Sequence, residues 1–326
     1  MKKLIVLFVI FLFLSLTFSQ DTSFSKSIKK NKITITEDPE TEYYAIIAGC
    51  TNYSNPNLTL FVDPFENENS VDILYDSLIS GSNWKDDNII LLFNKNATKQ
   101  NITNALIYMS EIVKENDVFL FSWRGHGGEV SDDNSDEKDG TDEIIVPYDF
   151  DNKTYITDDE LNNYLSDIKS EKMIIMLESC LSGGFVGGDS DIDKPKRLCV
   201  LSTFENSLGR GGLIYAFPCQ SFIAVLLNAD NDLKFLDKND DGFLSIQEVL
   251  FFAKLGVFSD KTLTFLIFYL AFKIRFRKNE FKKLLTFVIF YQLLYKTQTG
   301  HFIFNNLHSV DNVGYDIPLV KSKESK

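Results

Sequence analysis

The chain has 326 residues, 44% of them hydrophobic and 24% charged, so it can bury one substantial core and has the composition of an ordinary folded protein. Its formal net charge of -13 at pH 7 argues against nucleic acid and anionic membrane surfaces as main partners, because both are bound through basic patches. Its 4 cysteines are too few for a disulfide scaffold in a chain of this length.

The first residues predict entry into the secretory pathway. Residues 1–19 combine two lysines, an unbroken apolar run and small residues near Ser19, which is the pattern of a cleaved signal peptide. An uncleaved membrane anchor is the alternative. Residues 20–42 are polar and weakly patterned, which indicates a pro-segment or arm. We therefore expect a secreted or endolysosomal protein.

Asn-X-Ser/Thr sequons are consistent with that route and are predicted glycosylation sites. They lie at Asn52, Asn57, Asn96, Asn101 and Asn152.

Strand and helix patterns alternate from residue 43 onward. Continuous apolar runs typical of buried strands occupy residues 43–50, 88–93, 117–123, 172–178 and 198–203. Helical patterns occupy residues 70–80, 103–116 and 212–229, and a capping box at Thr157 opens a further helix to residue 168. Continuous strands interleaved with helices predict an α/β fold, in which a mostly parallel sheet is covered by helices on both faces.

Residues 43–254 are predicted to form the main domain, and residues 299–326 a C-terminal tail. The intervening residues 255–298 contain two apolar runs around a basic bend, each shorter than the roughly 20 residues that span a bilayer. We favour an inserted, intron-derived segment, because AT-rich DNA translates into the Phe, Leu, Ile, Tyr and Lys enriched here. A membrane-lying helical hairpin is the alternative, and membrane contact is expected only in that case.

Two of the predicted strands end in the same way, with glycines around one reactive side chain. Residues 118–128 read VFLFSWRGHGG and carry His126, and residues 173–184 read MIIMLESCLSGG and carry Cys180. In an open α/β sheet, ligand-binding and catalytic residues lie at the carboxyl ends of the strands. The pair therefore predicts a thiol nucleophile and its base. Among the other cysteines, Cys199 and Cys219 are candidates for a disulfide, which their spacing alone does not prove.

Several motifs in this order resemble the metacaspase branch of the caspase-fold cysteine peptidases. They are the turn AGCTNY at 48–53, the turn RGHGG at 124–128, the stretch DEKDGTDEIIVPYDF at 136–150, the motif ESCLSGGF at 178–185 and the segment LCVLSTFENS at 198–207. The similarity covers roughly residues 43–254. It implies a caspase-like fold, peptide or protein substrates, and chemistry that needs no cofactor.

The resemblance also implies roles for individual residues. His126 would be the general base and Cys180 the nucleophile, while the backbone N–H groups of Gly127 and Cys180 would form the oxyanion hole. Glu178 stands where the family usually has Asp, a residue that helps to select Lys or Arg at the cleavage position. Arg124 stands where the family usually has a small residue.

Two other functions remain open from the sequence. The Glu-X-Cys-X-Ser-Gly pattern at Glu178 is also similar to legumain-type peptidases, which cleave after Asn. The third hypothesis, from a different class, is an inactive calcium-binding glycoprotein that keeps the fold.

Residues 237–248, DKNDDGFLSIQE, match the 12-residue loop of an EF-hand, with a glycine at position 6. The predicted calcium ligands are Asp237, Asn239, Asp241, the carbonyl of Phe243, Ser245 and Glu248. The alternative is a turn in which Ser245 caps the following helix. The acidic residues within 132–143 are either a second calcium site or a solvated loop. Calcium is the only ion that the sequence suggests.

Overall fold

The computed structural model describes residues 41–58, 70–81, 83–132, 134, 135, 137, 139–151, 153–203, 237, 239–250 and 308–321. The predicted signal peptide, the arm up to residue 40, the predicted helix at 212–229, Cys219 and the segment 255–298 lie outside these residues. No helix among the described residues is long and apolar enough to cross a membrane.

Eleven strands and three α-helices lie wholly within the described part of the chain. The strands are β1 (Tyr43–Gly49), β2 (Ile89–Phe93), β3 (Val118–Arg124), β4 (Gly127–Ser131), β5 (Thr141–Ile145), β6 (Ile156–Thr157), β7 (Lys172–Glu178), β8 (Arg197–Leu201), β9 (Phe243–Ser245), β10 (His308–Asp311) and β11 (Pro318–Lys321). The helices are α1 (Ser70–Ser80), α2 (Lys99–Ile112) and α3 (Asp158–Ser166).

The central sheet has the strand order β10-β8-β7-β3-β1-β2. All neighbouring pairs are parallel except β10 with β8, which is antiparallel. In β3 and β7 nearly every residue is buried, as expected for central strands covered on both faces. The predicted α/β class with a mostly parallel sheet is confirmed.

A separate hydrophobic cluster covers each face of the sheet. On one face, α2 and α3 pack against side chains such as Phe119, Phe121 and Trp123. On the other face, α1 packs together with the apolar residues of 244–250 and 317–320. The sheet is therefore buried between two layers, and its carboxyl edge is left for the loops that carry the reactive residues.

Helix α2 begins four residues earlier than the apolar pattern predicts. Thr98 caps it, since its hydroxyl accepts a hydrogen bond from the backbone N–H of Asn101, and Asp149 accepts one from the N–H of Lys99. The first turn is thus fixed by polar capping groups, which the hydrophobic periodicity does not register. The predicted cap at Thr157 is present, with a 3.0 Å bond from the Glu160 N–H to the Thr157 hydroxyl.

Two sets of strands lie where the sequence predicts none. Strands β4, β5 and β6 form a small antiparallel sheet directly after His126. Strands β10 and β11 lie within the predicted C-terminal tail, and they pair with β8 and β9. Residues 308–321 are therefore integrated into the sheets and the core rather than extending beyond them.

Candidate active site

The backbone of His126 is fixed on both sides in the turn between β3 and β4. Its N–H donates to the hydroxyl of Tyr53 at 2.7 Å, and its carbonyl accepts from the N–H of Val146 at 3.1 Å and from the indole of Trp123 at 3.3 Å. Gly125 makes this arrangement possible, because a Cβ atom there would overlap the Trp123 ring and the Tyr53 hydroxyl.

The imidazole ring of His126 is oriented by a backbone carbonyl. Its Nε2 lies 2.7 Å from the carbonyl oxygen of Leu58, and the ring packs against Tyr53 with 5.1 Å between centroids and a tilt of 37° between the ring planes. A carbonyl oxygen only accepts, so Nε2 carries the proton and Nδ1 of the neutral ring is the basic atom. Burial lowers the pKa of His126 from its ordinary value, and the hydrogen bond to Leu58 opposes that shift in part. The neutral, basic form of the ring is favoured.

Cys180 follows β7 on a tight turn. Leu181 has φ 58°, in the left-handed region that is costly for a residue with a side chain. Ser182 connects this turn to the end of β8, because its hydroxyl accepts hydrogen bonds from the N–H groups of Ser202 and Thr203, each at 3.1 Å. In return, the Ser182 N–H donates to the Thr203 hydroxyl at 2.8 Å. The nucleophile turn is thus held in a strained conformation by hydrogen bonds to the neighbouring strand.

Replacing Ser182 by alanine is expected to lower the free energy of unfolding by about 1–3 kcal/mol, since the buried N–H of Thr203 and the half-buried N–H of Ser202 lose their acceptor. Urea denaturation measures this loss. Ser110→Ala is the matched control, because the Ser110 hydroxyl only donates to the Ile107 carbonyl on the exposed side of α2. Equal losses in the two variants would contradict the proposed role of Ser182.

Gly127 brings the histidine turn against the cysteine turn. A Cβ atom at Gly127 would overlap the carbonyl oxygen of Cys180 and would lie 2.9 Å from the Cβ of Ser179. The adjacent strands β3 and β7 align Arg124 with Glu178, and His126 and Cys180 each follow two residues later. The predicted base and nucleophile therefore lie at the same edge of the sheet, on turns in van der Waals contact.

The other described cysteines are unsuited to nucleophilic chemistry. Cys50 and Cys199 carry free thiols and are fully buried, whereas Cys180 is partly exposed. Burial raises the pKa of Cys50 to about 12 and also raises the pKa of Cys199. Cys199 forms no disulfide with another described cysteine, and Cys219, its candidate partner, lies outside the described residues. Cys180 is the described cysteine whose exposure suits attack on a substrate.

Glu178 forms an ion pair with Arg124. The Nε atom of Arg124 lies 3.5 Å from the Oε1 atom of Glu178, and the two side chains are 8% and 12% exposed. The Gly125 N–H also donates to the Glu178 carbonyl at 3.1 Å, so the two strand ends are linked through backbone and side chain. The acidic residue predicted to bind substrate thus already has an intramolecular cationic partner.

A cluster of carboxylates lies beside the loop that follows Cys180. Ligand atoms of Glu137, Asp158 and Asp191 lie within 4.8 Å of one another. Burial raises the pKa of Asp158 to about 7, and the charges of Asp191 and Asp142 add to this effect. The Oδ1 atom of Asp191 is buried and receives no hydrogen bond from the described residues. The donor set fits a hard divalent cation such as calcium.

This cluster was only partly predicted from the sequence. Glu137 belongs to the acidic stretch 132–143, but Asp158 lies in the capping turn of α3 and Asp191 in the loop after the nucleophile. The fold alone brings them together.

The loop 237–248 has the backbone course that its sequence predicts. Gly242, at position 6, has φ +84°, and the Asp237 carboxylate accepts hydrogen bonds from the N–H groups of Asp241 and Gly242. At position 12, the carboxylate of Glu248 turns back to accept from Asn239 and Ser245. Strand β9, at positions 7–9, pairs with β11. The carboxylates of Asp237 and Glu248 therefore bond to backbone N–H groups of the same loop, although Ser245 also caps the helix by accepting from the Glu248 N–H, as in the alternative interpretation.

The sequons at Asn52, Asn57, Asn96 and Asn101 lie on the exposed surface. Asn152 lies outside the described residues. Sequence reasoning missed Leu58 and Tyr53 as supports of His126. Leu58 contributes its backbone carbonyl, which every residue type has, so the sequence carries no signal for it. Tyr53 belongs to the AGCTNY turn, which is part of the resemblance.

Comparison with known proteins finds similarity in the segment that contains these residues. Residues 41–188, which include His126 and Cys180, match the family model for the metacaspase, peptidase C14 domain. The chain is 34% identical over 146 residues to Metacaspase-1 of Plasmodium falciparum, a match that covers 42% of this chain and 21% of that protein. It is 38% identical over 88 residues to Metacaspase-1B of Neurospora crassa, covering 26% of this chain and 21% of that protein. The matched part thus spans about a fifth of the length of these relatives.

Among solved structures, the chain has a TM-score of 0.44 and 20% identity to protein GSU0716 from Geobacter sulfurreducens, over 57% of this chain and 82% of that one. It has a TM-score of 0.39 and 14% identity to caspase-1 from Spodoptera frugiperda, over 67% of this chain and 77% of that one. The family match, the order of the motifs and the parallel sheet agree with one another. Residues 41–188 match the metacaspase, peptidase C14 domain, and this segment of the chain is similar in sequence to metacaspases.

Proposed function

We propose that this protein is a cysteine endopeptidase that hydrolyses peptide bonds with a His126–Cys180 dyad. The observation that carries the proposal is the contact of the Gly127 turn with the Ser179–Cys180 backbone, while the Leu58 carbonyl fixes the imidazole tautomer. The metacaspase match over 41–188 supports the reaction class.

The mechanism follows from the protonation state of the ring. Nδ1 of His126 takes the proton from the Cys180 thiol as sulfur attacks the carbonyl carbon of the scissile bond. The N–H groups of Gly127 and Cys180 donate to the oxyanion that forms. The imidazolium then protonates the leaving amine, which yields a thioester. Water, deprotonated by the neutral His126, hydrolyses the thioester and restores the thiol. No cofactor is required for these steps.

The residue preferred at the cleavage position depends on Glu178. An unpaired carboxylate there would favour Lys or Arg, and the alternative, suggested by the legumain-like pattern, is Asn. One assay distinguishes cleavage after Lys or Arg, cleavage after Asn, and an inactive protein. The purified protein is incubated with fluorogenic peptides that differ only in having Arg, Lys or Asn before the scissile bond, with and without calcium. Cleavage that is abolished by thiol alkylation supports the proposal, and no thiol-dependent cleavage under any condition contradicts it.

The pH dependence of kcat/KM is expected to reflect the lowered pKa of His126. Because burial disfavours the charged ring, the neutral base persists below the ordinary pKa of 6.5, and activity is retained as pH falls through that value. Activity is lost only when the pH passes below the lowered pKa and the ring is protonated. A profile of kcat/KM between pH 4 and 8, about the range in which imidazole titrates, measures this. An acid limb with its midpoint above 6.5 would contradict it.

We further propose calcium binding at two places, the cluster Glu137–Asp158–Asp191 and the loop 237–248. The close carboxylates and the buried, unsatisfied Asp191 Oδ1 support the first, and the six ligand positions around Gly242 support the second. The loop lies outside the segment that matches the family model.

Isothermal titration calorimetry with calcium is expected to detect both sites, and dissociation constants of about 10⁻⁴ to 10⁻³ M are typical of extracellular modules. Asp191→Asn and Glu248→Gln are each expected to remove one site, whereas Glu129→Gln, an exposed acid on β4, removes neither. Two sites that persist in either of the first two variants, or no binding by the unaltered protein, would contradict the assignment.

Passage through the secretory pathway is also proposed, from the pattern of residues 1–19 and the four exposed sequons. Expression in a eukaryotic host should give a protein whose electrophoretic mobility increases after treatment with an N-glycosidase. An unchanged mobility would count against glycosylation, and an intact N-terminus at Met1 would count against cleavage of a signal peptide.

A further inference from the structure

The ion pair between Arg124 and Glu178 lies at the end of the two strands that carry the dyad. Arg124 is the last residue of β3 and Glu178 the last of β7, and they are aligned in register. His126 and Cys180 each follow two residues later. On the other side of β3, the register partner of Arg124 is Gly49, which contributes no side chain. At this edge of the sheet, each reactive residue therefore has one member of the ion pair two positions before it in the sequence.

Both members of the pair are largely removed from water. Their side chains are 8% and 12% exposed, and Nε and Oε1 are 3.5 Å apart. The fields of two opposite charges this close together largely cancel at a third group that is about equally far from both. A cationic side chain of a substrate would lose its hydration here without meeting a net negative charge. A neutral side chain with both a donor and an acceptor could bond to both members of the pair.

We propose that Arg124 is a specificity determinant that neutralises Glu178, so that the enzyme cleaves after uncharged polar residues, amides above all, rather than after Lys or Arg. This rests on the proposed function, in which Glu178 determines the residue preferred at the cleavage position. It also follows that Glu178 retains a latent preference for basic residues, which removal of the guanidinium uncovers.

The test compares kcat/KM for peptides that differ only in having Gln, Asn, Arg, Lys or Glu before the scissile bond. The unaltered protein is expected to cleave after Gln or Asn at least about tenfold better than after Arg or Lys. In Arg124→Gln, which removes the charge and keeps most of the side-chain volume, the ratio of Arg to Gln cleavage is expected to rise by about 100-fold. In Glu178→Gln the uncompensated guanidinium is expected to favour Glu instead.

Lys169→Gln is the matched control, because Lys169 is an exposed cation that precedes β7 at the opposite end of the strand. Its substrate ratios are expected to stay within about threefold of those of the unaltered protein. If the unaltered protein prefers Arg or Lys, the proposal is overturned. It is also overturned if the ratio of Arg to Gln cleavage in Arg124→Gln stays within about threefold of that of the unaltered protein.

If no peptide is cleaved, the proposed function is contradicted. The role of Arg124 can then still be tested by a binding measurement. Calorimetry with agmatine, a free guanidinium compound, is expected to show binding to Arg124→Gln and none to the unaltered protein. Equal binding to both would overturn the role of Arg124.

Discussion

Replacement of Cys180 by alanine is expected to lower kcat/KM by at least about 10⁴-fold, the effect typical of removing a covalent nucleophile. The reason is that no other described thiol can substitute for it. Cys50 and Cys199 are fully buried, and burial raises the pKa of both, so neither supplies a thiolate at neutral pH. Steady-state kinetics on the best peptide of the panel measure the loss.

Cys199→Ala is the control for this prediction. It removes a buried thiol from the neighbouring strand β8, so it is expected to reduce stability slightly and to leave kcat/KM within about threefold. If Cys180→Ala retained substantial activity, or if Cys199→Ala lost as much, the nucleophile would have to be another group.

Replacement of Gly127 by alanine is expected to lower kcat/KM by at least about 100-fold, because small displacements of reacting groups cost this much. A methyl group at this position overlaps the Cys180 carbonyl oxygen, which is backbone and cannot rotate away. The histidine and cysteine turns must then move apart, and the oxyanion donors move with them.

The next residue provides a closely matched control. A methyl group at Gly128 would meet only side-chain carbons of Ile144, at 3.5 and 3.7 Å, which are ordinary van der Waals contacts. Gly128→Ala should therefore keep most of the activity, and circular dichroism should show both variants folded. Equal activity of the two variants would contradict the packing of Gly127 against the nucleophile turn.

The sequence predicted the central elements because their signals are local. The buried runs of β1, β3 and β7 are continuous and apolar, and β7 has the bounds that the sequence predicts. Glycine turns after two of these strands sufficed to choose His126 and Cys180, and parallel strand ends place them at one edge. Thr157 was identified as a helix cap from a short motif alone.

The remaining features depend on contacts between distant parts of the chain. The carbonyl of Leu58 supports the His126 ring across 68 positions, and a backbone atom has no residue-type signal. Asp158 and Asp191 meet Glu137 only after α3 and the loop beyond Cys180 have folded. The ion pair of Arg124 with Glu178 depends on the register of two strands. The sequence therefore showed that an arginine is unusual at position 124, but not that it pairs with Glu178.

The placement of β10 and β11 constrains how the gene for this protein can be decoded. Strand β10 pairs with the edge of β8, and Leu319 accepts a 2.5 Å hydrogen bond from the Trp84 indole in the core beside α1. A polypeptide terminated within residues 255–298 would lack both strands and would leave an unpaired sheet edge and an uncovered apolar face, which favour aggregation. Whether residues 255–298 are translated or spliced out, the reading frame must therefore be kept through to Lys321 for a folded product.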